Sequence, residues 1–298
     1  MLKYLLVAMG CCCCFLIMNA QSKSSIENLK EKIELTLQQG NGKFAVAFKD
    51  LSSGENIMIN ALLHYHAAST MKTPILIELF KQAEAGKFSM KDSMTIRNSF
   101  KSIVDDSEFT LDSTDDSQRE LYRQVGQKKT IEYLANQMII ASSNLAANMM
   151  IELVKAANVM NTMKEIGAND IKVLRVVEDN KAFEKGLNNT STAYDQLLIF
   201  EKIANYELVS KKASKQMIRI LLDQQFNDVI PALLPADVKV AHKTGSITGI
   251  QHDAGIVFLP GGKKYVLVLL SKFEGDEKTA IETMAKVSRL IYDYMITK

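Results

Sequence analysis

Apolar residues recur every three to four positions between Ser24 and Gln39, at Ile26, Leu29, Ile33 and Leu37, and predict an amphipathic helix that Gly40-Asn41-Gly42 ends. The period then falls to two. Phe44, Val46 and Phe48 alternate with other residues, Asp50 to Gly54 turns the chain, and Asn56 to Asn60 returns as a second strand. Next comes a stretch apolar on most sides, from Thr73 through Pro74 and Phe80 to Gly86. Proline in the opening turn and glycine at the C-terminal end mark it as a buried, central helix. From Lys87 to Tyr206 the pattern is mostly helical: Thr130 caps a helix carrying Ile131, Leu134 and Met138 on one face, and an apolar helix runs from Leu145 to Ala157. Strands resume at Val238 to His242, Ala254 to Leu259 and Tyr265 to Leu270, and a helix from Glu277 to about Ile296 closes the chain.

This order predicts an α+β fold of several layers. An antiparallel sheet is flanked by the N- and C-terminal helices, in a lobe made of 21–68 and 207–298, with a helical lobe, 69–206, inserted between its halves.

The first twenty residues stand apart from the fold. Lys3 precedes an apolar run from Tyr4 to Met18, and Asn19-Ala20-Gln21 offers a cleavage point, so 1–20 reads as an export signal and the mature chain begins at Gln21, in the periplasm or outside the cell. The run is shorter than the roughly 20 residues a membrane span needs. Lipid attachment at Cys11, after Ala8-Met9-Gly10, is the less favoured alternative. All four cysteines, Cys11 to Cys14, fall in this segment, which leaves the mature chain without a thiol. A net charge of +2 with no basic stripe argues against a nucleic-acid partner, and the chain is taken as a monomer.

Ser69-Thr70-Met71-Lys72 changes the picture from fold to chemistry. One turn of helix puts the serine and the lysine on one face. A lone serine there is most simply an N-cap. A lysine is harder to explain, because its charge opposes the helix dipole and its apolar surroundings strip its hydration. A lysine with a depressed pKa can take a hydroxyl proton, which makes Ser69 a candidate nucleophile. Further on, Ser142-Ser143-Asn144 is squeezed between apolar segments and needs partners or a ligand, although Ser142 alone also reads as a cap. Lys243-Thr244-Gly245-Ser246 lies between two late strands, the lysine ending the first and the glycine admitting another backbone closely. The polar stretch from Lys172 to Thr192 reads as a long ordered loop of the kind that carries function. His64-Tyr65-His66 has only His242 and His252 as further imidazoles and no acidic or cysteine cluster close by, so neither metal nor cofactor is expected. The acidic run Asp105, Asp106, Glu108, Asp112, Asp115, Asp116 and Glu120 reads as a solvated loop without chemistry.

Ser-x-x-Lys, Ser-x-Asn and Lys-Thr-Gly, in that order, are the motifs of class A β-lactamases and penicillin-binding proteins, and nearly all of the mature chain resembles a class A β-lactamase or a close serine-hydrolase relative. The resemblance implies an enzyme that hydrolyses the β-lactam amide without metal. Ser69 would be acylated with Lys72 as its proton partner, and Ser142 would relay a proton to the leaving nitrogen. Asn144 would hold the substrate's side-chain amide, Lys243 and Thr244 its carboxylate, and the N–H groups of Ser69 and Ser246, beside Gly245, the oxyanion.

Departures from that pattern leave alternatives. Ser143 replaces the family's usual aspartate, which implies lost structural hydrogen bonds. Glu178, three residues after Arg175 and with Ala182 where an asparagine is usual, is the candidate base for the hydrolytic water, and Glu184 is a weaker one. Asn189 replaces the aspartate that closes the loop on the arginine. No arginine follows Lys243, and His252 is a candidate to stand in its place. Pocket width is expected to depend on Phe100, Phe109 and Ser246. A D-alanyl-D-alanine peptidase acylated by β-lactams, or a non-catalytic wall-binding or partner-binding module, are the other readings.

Overall fold

The computed structural model describes residues 25–298. The expected export signal 1–20 and Cys11 lie outside the described residues. The strands of the main sheet are β1 (Gly42–Asp50), β2 (Asn56–Ile59), β3 (Lys239–Ile247), β4 (Ile250–Phe258) and β5 (Lys264–Phe273). They lie in the order β2-β1-β5-β4-β3, antiparallel throughout. The longer helices are α1 (Ser25–Gln38), α2 (Lys72–Glu84), α3 (Ile131–Ile140), α4 (Asn144–Val154), α5 (Ala156–Glu165), α6 (Ala193–Ala204), α7 (Lys211–Leu222) and α8 (Glu277–Thr297).

The two-residue alternation of the strands sorts the core into two layers. Phe44, Val46 and Phe48 of β1 and Leu267 and Leu269 of β5 face Leu29 and Ile33 of α1 and Met284, Val287 and Ile291 of α8. Their neighbours Ala45, Ala47, Val266, Val268 and Leu270 face the helical layer, where α2 is the centre: Ile75, Leu76, Ile77 and Leu79 are fully buried. Small residues on this face (Ala45, Ala47, Ala254) let α6 lie directly on the sheet. The α+β class and the flanking terminal helices are as the periodicity implies. Helix α7, past position 206, packs on α3 and β3 and shares the helical layer's core.

Two boundaries differ. The expected helix from Leu145 to Ala157 breaks at Lys155, whose φ of 71° is left-handed, and continues as α5. The carbonyl freed at Val154 is taken up by the side chains of Gln82 and Asn158. Apolar residues continue across the break, so periodicity passes over it. Strand β3 does not stop at His242 or at the lysine. It runs on to Ile247, paired with β4 from Lys239↔Phe258 to Ile247↔Ile250, so the Lys-Thr-Gly segment lies inside an edge strand.

Candidate active site

Residues Ala68–Met71 form a 3-10 turn that runs straight into α2. Neither helix start carries a side-chain cap, so Ser69 is not the N-cap a lone serine suggests. The turn is held instead by Thr70 Oγ1, which donates to the Ala67 carbonyl at 2.6 Å, and by the Ala67 N–H, which donates to the Asn189 carbonyl at 2.8 Å. Ala68 sits at φ 44°, a strained value for a residue with a side chain. Gly245 explains how β3 reaches this turn: a Cβ there would lie 3.1 Å from the amide nitrogens of Ser69 and Thr70.

Lys72 is fully buried, and its Nζ lies 3.0 Å from Ser69 Oγ. The same nitrogen donates to the Ser142 carbonyl at 2.6 Å and to Asn144 Oδ1 at 2.9 Å, and lies 3.3 Å from Ser142 Oγ. Burial pushes its pKa down to about 7, against the opposing pull of Asp116 and Glu178. Lys243, equally buried, donates to Ser142 Oγ at 3.0 Å and to the Thr244 carbonyl at 2.8 Å. Burial and the neighbouring Lys72 charge hold it well below an ordinary lysine. Two lysines that resist being charged thus meet at one hydroxyl. Ser142 itself sits at φ 55°, and the cap of α4 is Ser143, whose hydroxyl accepts from the Ala146 N–H at 3.2 Å; the reading of Ser142 as a cap is corrected.

The acidic run is not wholly solvated. Asp116 is 3% exposed, and its Oδ2 accepts from the N–H groups of Asn144 at 2.8 Å and Leu145 at 2.9 Å and from Tyr122 Oη at 3.0 Å. The hydrogen bonds expected to be lost with Ser143 are therefore made by a carboxylate from another loop. Asp105 and Asp112, by contrast, are exposed and close local turns with Ser107 and Thr114.

Glu178 enters from the loop, at φ 63°, and its Oε1 accepts from Asn144 Nδ2 at 2.9 Å. Half-burial raises its pKa above the ordinary carboxylate value, the Asn144 hydrogen bond works against this, and Asp115 and Asp116 add to it. Asn148, a polar residue inside the apolar α4, pins the adjacent Val177 through both of that residue's backbone groups, at 2.6 and 2.9 Å. Asn189 takes no part in an ion pair. Its Oδ1 accepts from the N–H groups of Leu174 at 2.8 Å and Arg175 at 3.2 Å, and its Nδ2 donates to the Arg175 carbonyl at 3.0 Å. Arg175 instead donates to the carbonyls of Val176 and Leu187 and to Asn188 Oδ1, and lies over the face of Phe183.

His252 does not replace the missing arginine. It is fully buried, held neutral by a pKa pressed down to about 4 by burial, and its Nε2 reaches the His66 carbonyl at 2.9 Å. Glu184 is exposed at the end of the short helix Asn180–Glu184 and lines neither cavity at Ser69. His66 Nδ1 accepts from the Ala68 N–H and His64 faces Asp170, and the described residues contain no group of three or more metal-ligating side chains.

Ser69, Ser142, Asn144, Thr244 and Ser246 border one cavity of ≈ 310 Å³. Phe226 and Gln251 also line it, whereas Phe100 and Phe109 pair with each other in a small hairpin away from it. A second cavity of ≈ 260 Å³ opens on the other side of Ser69, toward Arg175, Glu178 and Phe183. Sequence reasoning missed Asp116, Tyr122 and Asn148; of these only Asn148, an amide amid apolar neighbours, carried a local signal.

The model of the beta-lactamase enzyme family matches residues 28–295. Beta-lactamase VEB-1 of Pseudomonas aeruginosa is 24% identical over 294 residues, covering 93% of each chain. A beta-lactamase of Bacteroides uniformis is 24% identical over 305 residues, covering 95% of each. Among solved structures, a mutant of PBP-A captured as an acyl-enzyme complex with penicillin G is similar with a TM-score of 0.78 and 25% identity, over 92% of this chain and 98% of that one.

Proposed function

The chain belongs to the beta-lactamase enzyme family, and from that premise we propose that it is an exported, monomeric serine β-lactamase that acylates Ser69 and then hydrolyses the acyl-enzyme. The observation that carries this reading is the continuous chain of contacts from Ser69 Oγ through Lys72 Nζ and Asn144 to Glu178 Oε1, with steps of 3.0, 2.9 and 2.9 Å. It joins a nucleophile, a depressed amine and a raised carboxylate at one cavity.

In the acylation half, neutral Lys72 takes the Ser69 proton as Oγ attacks the ring carbonyl carbon. The oxygen's developing charge is met by the N–H groups of Ser69 and Ser246. As the C–N bond breaks, Ser142 gives its proton to the leaving nitrogen, and the lysine proton replaces it through the 3.3 Å contact. Lys243 and Thr244 hold the substrate carboxylate, and Asn144 its side-chain amide. In the second half, Glu178 takes a proton from water as the hydroxide adds to the ester carbon. As the C–O bond to Ser69 breaks, that same proton is delivered by way of Lys72 to Ser69 Oγ, so that Glu178 ends ionised and Lys72 neutral.

Purified residues 21–298 are expected to turn over a chromogenic cephalosporin and to keep their rate in chelator. Absence of turnover, or its full loss with chelator, overturns the proposal. A second reading, a D-alanyl-D-alanine peptidase that β-lactams acylate slowly and lastingly, draws on the PBP-A mutant captured with penicillin G. It predicts a penicillin adduct on Ser69 that persists for hours in intact-mass spectra.

A further inference from the structure

Asp116 takes no part in the steps above, yet it is a buried carboxylate that holds the Asn144 N–H and acts through its charge on Lys72 and Glu178, and these three residues do take part. We propose that Asp116 is a positioning residue for acylation: from outside the Ser142-Ser143-Asn144 segment it fixes that segment's backbone and supplies negative charge against Lys72. The proposal rests on the β-lactamase reading of Ser69.

The first amides of a helix have no partner within it, and a carboxylate at that end is favoured by the helix dipole. At α4 the Ser143 hydroxyl satisfies the Ala146 N–H. It leaves the Asn144 and Leu145 N–H groups, and Asp116 Oδ2 takes both, at 2.8 and 2.9 Å. The carboxylate is fixed in its turn by Tyr122 Oη at 3.0 Å, by the Gln118 N–H at 2.9 Å, which reaches Oδ1, and by Ser143 Oγ at 3.3 Å. What it holds is the hub of the site. Asn144 presents Oδ1 to Lys72 and Nδ2 to Glu178, and Ser142 presents its carbonyl to Lys72 and its hydroxyl to both lysines. A displacement of about 1 Å at such a hub is enough to cost a reaction about 100-fold.

Charge adds a second, separable effect. The charged groups that face Lys72 are Asp116, Glu178 and, repelling it, Lys243. Glu178 and the Tyr122 hydroxyl are in turn raised by Asp116. Removing the Asp116 charge lets burial drive the Lys72 pKa lower still, so that the amine is neutral at lower pH. The acid limb of acylation then moves to lower pH even as the rate falls.

The test compares wild type, Asp116→Asn, and the double variant Asp116→Asn/Ser143→Asp, which returns a carboxylate to the same helix end. Acylation by penicillin is followed by quenched intact mass across pH, with melting temperatures alongside. Asp116→Asn is expected to acylate about 100-fold more slowly, with its acid limb shifted to lower pH, and the double variant to recover about tenfold or more with the limb moving back. A wild type that is never acylated sinks the function itself. A wild type that acylates, with Asp116→Asn matching its rate and limb, overturns this proposal alone. A lowered melting temperature with the limb unmoved also overturns it, since support of the fold does not shift a titration. Should Asp116→Asn fail to fold, the double variant decides: folded and acylating supports the proposal, folded and unreactive contradicts it.

Discussion

The two sides of Ser69 are built differently. On the floor, Lys72 and Lys243 are fully buried, and α2, α4 and β3 fix their positions through main-chain geometry, down to the Gly245 backbone lying against Ser69. On the loop side, Glu178 is half-buried and its segment hangs on side-chain amides: Asn148 on Val177, and Asn189 on Leu174 and Arg175. Interactions in a packed floor are distributed over many atoms, whereas a loop held by a few hydrogen bonds opens when one is lost. Acylation should therefore withstand changes in the loop, and deacylation should not.

The largest expected effect is at the floor. Ser69→Ala should lower hydrolysis on the order of a million-fold, the scale of losing a serine nucleophile, and abolish any penicillin adduct. Next is the pH dependence that separates the sides. Lys72 must be neutral to accept a proton, so acylation should fall as pH drops through about 7. Glu178 must be ionised to act as base, so deacylation should fall with pH through a limb of its own, placed above the ordinary carboxylate range because burial raises its pKa. Pre-steady-state rates of the two phases against pH check this, and a deacylation limb inside the ordinary carboxylate range contradicts it.

Asn189→Ala sharpens the contrast further. It leaves two backbone N–H groups without their acceptor, which costs about 1–3 kcal/mol for each buried group left unsatisfied. Thermal melting should show the loss, and deacylation should slow while acylation stays near wild type; equal slowing of both phases would break the distinction between floor and loop. The smallest effect is expected from Glu184→Gln, an exposed change away from both cavities. It should leave stability within about 0.5 kcal/mol and turnover near wild type, and a stalled acyl form would transfer the base from Glu178 to Glu184.

The same divide governs how much the chain disclosed on its own. Ser69 with Lys72, Ser142 with Asn144, and Lys243 with Thr244 and Gly245 are short-range patterns, and each lies on or directly beside an element whose periodicity is legible. The loop was legible only as a polar stretch without a period, because what orders it is long in sequence: Asn148 and Val177 are 29 residues apart. Asp116 was misread for the same reason. Its neighbours are solvated, and nothing local marks the one carboxylate of that acidic run that reaches Asn144, 28 residues away. In sequence His252 is a candidate for the place of the missing arginine, but burial decides its charge, and burial is set by how β4 packs on the Tyr65-His66 segment.

The central claim is that Ser69 forms an acyl-enzyme which Glu178 clears. Its most direct measurement is intact mass and peptide mapping after brief exposure of wild type and Glu178→Gln to penicillin. Wild type should return to free mass within seconds. Glu178→Gln should acylate quickly, through Lys72, and hold one adduct on the Ser69 peptide, with deacylation slowed about 100- to 10,000-fold. An adduct on another residue, no adduct in the variant, or a variant that clears its adduct as fast as wild type would contradict the account.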